Sequence, residues 1–207
     1  MKKSWLFGLA VCMLVFGLVF SGCKSGDDNN SGSAQLNFSN EQVYEVVGVE
    51  ELGQYTGSAT VTSNQGVSGS ITNGKLSFTI GVPAYLSSLE DAGGLDIPPG
   101  TSVNPSNVLI ANLELRLDNG AYLVKTDGAM TATSYTQEDI EYMYVNMNCT
   151  VTIPAMPEQG LSATTLQFKE GWNALNTIIT VSDEGFTGAL KIVNLSYGRW
   201  VIDNRVN

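Results

Sequence analysis

The sequence predicts an all-β protein: an antiparallel β-sandwich of jelly-roll or Ig-like type, alternatively an open barrel, following a signal peptide and a flexible tether. Three observations predict it. Apolar and polar residues alternate with period two over run after run, as in "KLSFTI", residues 75–80, which places every second side chain on one face. Gly, Asn and Asp punctuate those runs, and the chain carries 22 glycines in 207 residues, as turns between short strands require. Helical periodicity is nearly absent. About ten short strands separated by turns fit a sandwich or a barrel.

Each element has its own signal. Residues 42–50, "QVYEVVGVE", form a β-rich opening strand, and "GSATVTS" (57–63) and "VSGSIT" (67–72) follow it. Asn73-Gly74 then stands between two alternating runs. That pair is the strongest short hairpin signal, because both central residues of a type I′ turn need φ > 0. On the second arm Leu76, Phe78 and Ile80 share the core face. Residues 82–106, with Pro83, Pro98, Pro99 and Pro105, read as a long irregular connection in which Tyr85 to Ala92 supply a helical turn or two. A second hairpin turns at Asp118-Asn119-Gly120, with Leu113, Leu115 and Leu117 facing one way. Residues 140–154 are one long strand or two broken ones, and Thr136 caps a turn ahead of them. A third hairpin is expected around Glu170-Gly171 and a fourth near Ser196 to Gly198. The domain plan is a signal peptide over 1–22, a lipidated cysteine and tether over 23–40, and a single β domain over 41–207.

The front of the chain sets the compartment. Lys2 and Lys3 precede an uncharged run from Trp5 to Phe20, shorter than the ~20 residues of a comfortable membrane span. Small residues, Ser21 and Gly22, close the run just before Cys23. A positive start, a short apolar core and small residues at the seam describe a cleaved export signal. Phe20-Ser21-Gly22-Cys23 also resembles the lipobox of bacterial lipoproteins, with Phe20 where Leu is commonest. That resemblance implies cleavage between Gly22 and Cys23, with diacylglycerol and an N-acyl chain on Cys23 as covalent groups. An acyl anchor gains ~0.8 kcal/mol per buried CH₂, so two or three chains hold a protein firmly where one does not. Lys24 to Gln35, rich in Ser, Gly, Asn and Asp, reads as a spacer of roughly 20 Å reach. Lys24 stands where an aspartate would signal inner-membrane retention, which by resemblance favours the outer membrane of a bacterial envelope.

Composition excludes several functions. The formal charge of −10 becomes more negative once Lys2 and Lys3 leave with the signal. A surface this acidic repels nucleic acid. Histidine is absent, which removes Ser-His and Cys-His catalysis and His-ligated zinc. Cys12 leaves with the signal and Cys23 is lipidated, so Cys149 has no disulfide partner; within "CTVTI" it reads as a buried core thiol.

Sharper readings meet simple alternatives. Gly69 to Lys75 has the glycine-lysine spacing of a phosphate loop, but Leu76 replaces the Ser or Thr and the flank is a hairpin. Adjacent acidic pairs, Glu50-Glu51, Glu90-Asp91, Glu138-Asp139 and Asp183-Glu184, point to opposite faces if they lie in strands, so no single pair makes a hydrolase. Calcium ligands are available at Asp118-Asn119-Gly120, Asp127-Gly128 and Asp27-Asp28, without the ordered Ca²⁺-loop spacing. Trp172, Trp200 and Tyr135 are the candidate ligand or partner contacts, since exposed rings stack on sugars or anchor a protein. Tyr142 and Tyr144 share a strand face as core residues do.

The hairpin "NGKLSFTI", the strand "EYMYVNMNCTVTI" and the segment "LQFKEGWNAL" together resemble a class of lipid-anchored β proteins of spirochaetes, in scattered pieces over residues 66–180. The resemblance implies fold and location and carries no catalytic signature. The expectation is a non-enzymatic interaction module tethered at a membrane, with an unknown protein or glycan partner and no metal. A carbohydrate-binding module and a carboxylate-dependent envelope hydrolase are the alternatives.

Overall fold

The computed structural model describes residues 32–47, 51–88, 99–130, 134–157, 160–183 and 185–203. Its centre is a closed barrel of seven strands. In order around the wall these are β1 (Leu36–Val47), β5 (Lys75–Ile80), β4 (Ser68–Thr72), β3 (Ala59–Ser63), β9 (Leu115–Leu117), β10 (Tyr122–Met130) and β16 (Arg199–Asp203), which returns to β1. All seams are antiparallel except the last, where β16 runs parallel to β1 with Val43 opposite Trp200 and Glu45 opposite Ile202. Closure pairs each wall strand on both sides and so removes the open edges that invite aggregation.

Local chemistry explains most of the wall. Between β4 and β5, Asn73 and Gly74 have φ of 49° and 73°, the left-handed pair that a type I′ turn demands. Leu76, Phe78 and Ile80 point inward from β5 as expected. Asp118-Asn119-Gly120 turns β9 into β10, with Arg116 opposite Tyr122. In β1 the register slips between Ser39 and Glu41, where Asn40 has φ 59°. This bulge adds one residue, so even-numbered Leu36 and Phe38 and odd-numbered Val43 all reach the core.

The sheet extends beyond the barrel. β10 also pairs with β11 (Ser134–Val145), which pairs with β14 (Gly171–Ser182), followed by β15 (Gly185–Val193). β8 (Leu109–Leu113) lies beside β11, with β6 (Ser87–Ser88) along its other side, and β2 (Glu51–Gln54) folds back on β1. A separate sheet of three strands, β7 (Ser102–Asn104), β12 (Cys149–Ile153) and β13 (Thr164–Phe168), makes a second core with this extension. In β11, Tyr142 and Tyr144 join the barrel core while Met143 and Val145 join the second one. Burial on both faces is why this stretch lacks polar alternation.

Several expectations are corrected. The all-β class holds, but the body is a closed barrel with added strands rather than a jelly-roll or Ig-like sandwich or an open barrel. Of the two readings of residues 140–154 the broken one holds, as β11 and β12 in different sheets, while Thr136 lies inside β11 instead of capping a turn. The third expected hairpin is absent because β13 and β14 also go to different sheets; the fourth is absent because β15 pairs with β14 while β16 closes the barrel. Of the expected helical turn, Tyr85 and Leu86 are irregular, Ser87 and Ser88 are strand, and 89–92 lie outside the described residues. The fold also starts before residue 41. β1 begins at Leu36, and Ser33 exchanges two backbone hydrogen bonds with Trp172 of β14, at 3.2 and 2.7 Å.

Candidate functional site: an acidic groove on the sheet

The outer face of β16, β10 and β11 forms the floor of a groove of about 810 Å³. Strand register places its side chains. Tyr122 is opposite Asp203, Val124 opposite Val201, and Thr126 opposite Asp139. Alternation then brings Tyr135, Gln137 and Glu141 of β11 onto the same face as Asp139. Val46 and Leu52, paired across β1 and β2, form one apolar wall, and Leu113 and Glu114 lie along another. Val46, Leu52 and Tyr135 are exposed.

The groove's electrostatics are one-sided. Tyr135 donates to Gln137, and Gln137 donates in turn to Asp139. Glu141 forms no ion pair among the described residues. Burial, and then the nearby Asp139 charge, push its pKa up to about 7. Beside the groove, Arg116 already pairs with Glu114 at 2.5 Å and lies 4.4 Å over the Tyr122 ring. Lys125 borders the groove through its strand, but its ammonium is inside the barrel. There it sits 3.2 Å from Glu41 and between 5.2 and 5.7 Å from the Phe38, Trp200 and Tyr142 rings. Burial lowers its pKa while Glu41 opposes that shift.

The residues singled out from sequence fall in different places. Trp172 is 0% exposed and donates its indole N–H to the Gly81 carbonyl at 2.9 Å. Trp200 is 3% exposed and donates to Glu41 at 2.7 Å. Neither presents a ring to solvent, so the expected ligand contact is corrected at both: they plug the core. Tyr135, 38% exposed, does line the groove. Gly22 and Cys23 lie outside the described residues. Cys149 is a buried thiol, pushed up to about 11 by desolvation.

Glu138 and Asp139 point to opposite faces. Glu138 accepts hydrogen bonds from Asn176 at 2.6 Å and Tyr197 at 2.8 Å, away from the groove. Glu50, Glu90, Asp91, Asp27, Asp28 and Glu184 lie outside the described residues. Asp118 accepts from the Thr60 amide and Asp127 pairs with Arg199; among the described residues no group of three or more His, Cys, Asp or Glu is arranged to hold a metal ion. Gly69 to Lys75 is the β4–β5 hairpin, without a helix N-terminus for phosphate.

Sequence reasoning did not find Glu141 or Asp139 as a pair. The signal was present: Gln137, Asp139 and Glu141 recur at every second position of one strand. The β2 fold-back that walls them in depends on pairings remote from them.

No protein-family model, curated protein or solved structure matches the chain.

Proposed function

We propose that the protein is lipid-anchored through Cys23 in the bacterial envelope, outer rather than inner membrane, and acts as a non-enzymatic interaction module. Its contact surface is the groove, and the occupant is a segment of a partner protein carrying Lys or Arg flanked by apolar residues. The observation that supports this is the pairing of apolar walls, Val46, Leu52 and Val201, with Asp139 and an ion-pair-free Glu141. Apolar anchors give such interfaces their affinity, and complementary charge gives orientation and encounter rate. The buried indoles of Trp172 and Trp200 remove two of the three rings on which the carbohydrate-binding alternative drew, and Tyr135 remains exposed.

Photo-cross-linking in intact cells tests the reading. A benzophenone amino acid at Leu52 is expected to capture a protein partner, and Glu141→Lys with Asp139→Lys is expected to abolish the adduct while the protein stays folded. An adduct unchanged by both reversals would refute the groove as an acidic docking site. Cys23→Ala is expected to release the protein from the membrane fraction.

A further inference from the structure

The Ser33–Trp172 bridge fixes where the chain leaves the fold toward Cys23. Ser33 is bonded to Trp172, whose indole is bonded to Gly81, and Leu36 is opposite Ile80 at the end of β5. The start of β1 and the loop after β5 therefore lie side by side. A Cβ at Gly32 would come within 2.1 Å of the Glu170 carbonyl oxygen, so the chain passes tightly over the body as it exits.

The loop beside this exit is uncharged, as residues 57–74 also are, and is set apart by the exposure of its apolar side chains. Residues 81–88, "GVPAYLSS", carry no charge. Its ends are held: Gly81 by the Trp172 indole, Pro83 by burial, Leu86 by packing on the barrel core, and Ser87 and Ser88 by pairing with Ile110 and Leu109. Two large side chains are left projecting from this fixed frame. Val82 is 64% exposed and Tyr85 77%, the highest values among the large exposed apolar side chains of the described residues. Tyrosine with apolar neighbours is the chemistry of a membrane interface, where one end of the ring is dry and the other wet.

We propose that the Val82–Tyr85 loop is a second, protein-borne membrane contact that enters the lipid interface beside the acyl anchor and orients the barrel on the bilayer. The inference rests on the Cys23 anchor. Nine residues, 24–32, separate Cys23 from Ser33 and can span at most about 32 Å, so the surface around the exit is the one the anchor brings nearest to the lipid. Tyr135 is at the other end of β11 from Tyr144, the partner of Trp172, and nine residues of strand span about 30 Å. The Tyr135 end of the groove is then held away from the membrane, open to a partner.

Depth-dependent quenching tests this with the mature lipidated chain in phosphatidylcholine vesicles containing lipid brominated high on the acyl chain. The native indoles Trp172 and Trp200 are inside the core, so the emission added by Tyr85→Trp, or independently by Val82→Trp, is read as a difference against the unsubstituted chain. Blue-shifted emission quenched by the brominated lipid is expected at both positions, with Tyr135→Trp unquenched. Sedimentation with the vesicles without quenching at 82 or 85 overturns the loop contact while leaving the anchor intact. Equal quenching at 135 overturns the orientation. Failure to sediment overturns the anchor, and this inference with it.

Discussion

Glu41 and Glu141 are carboxylates on opposite faces of one continuous sheet, and their surroundings are opposite too. Glu41, beside the β1 bulge, has a lysine ammonium at 3.2 Å and an indole N–H at 2.7 Å. Glu141 has Asp139 as its charged neighbour and a pKa pushed up to about 7. The first is an internal pair, complete in the folded chain. The second is an acid with no ion pair among the described residues. A protein tolerates such a group where the missing charge arrives with a ligand, and this contrast is the reason to place the contact surface outside the barrel rather than at its aromatic interior.

The largest effect is expected from breaking the complete pair. Glu41→Gln leaves Lys125 buried among three rings without its counter-charge, and a loss of about 3–5 kcal/mol is expected in urea denaturation. Replacing both partners, Lys125→Met with Glu41→Leu, is expected to recover most of it, because paired apolar residues avoid desolvating either charge. A double variant no more stable than Glu41→Gln would show that the pair fixes the bulge rather than balancing a charge.

Next comes the pH dependence of the incomplete site. Glu141 has a raised folded-state pKa, so the native state binds its proton more tightly than the unfolded chain does. Its contribution to stability is fully present below the ordinary glutamate pKa and is lost as pH rises through about 7. Between pH 4.5 and 7.5 this costs on the order of 1–3 kcal/mol, and Glu141→Gln is expected to flatten that part of the stability curve. Partner capture should move the other way, strengthening above pH 7 as the carboxylate forms.

How much of this was legible follows the range of the interactions. The β4–β5 and β9–β10 hairpins could be read because Asn73-Gly74 and Asp118-Asn119-Gly120 carry their turn chemistry locally. Cys149 and the Tyr142–Tyr144 pair were read correctly as core from their strand context. The barrel could not be read: its closing seam joins Val43 to Trp200, a parallel pairing that no neighbouring residue announces. The missing hairpin at Glu170-Gly171 has the same cause, since a turn signal says that the chain bends and not which strands pair afterwards. Trp172 and Trp200 were candidates for the surface because ring type alone does not report depth; the donors' partners, Gly81 and Glu41, are remote in sequence. The bulge at Asn40 hid the core face of β1 by changing parity midway.

The smallest effect on stability is expected at the groove rim. Tyr135→Ala should change unfolding free energy by no more than about 0.5 kcal/mol, as exposed substitutions do, while weakening partner capture from Leu52. A large stability loss there would make Tyr135 part of the framework instead of the contact surface.

The most direct test is a pH titration of the Glu141 side-chain carboxyl by carbon-13 NMR in the folded, partner-free protein. A midpoint near 7, lowered in Asp139→Asn, is the predicted result. A midpoint at the ordinary glutamate value of about 4.3 would mean that the groove already satisfies its own charge, and the case for a cationic occupant would be gone.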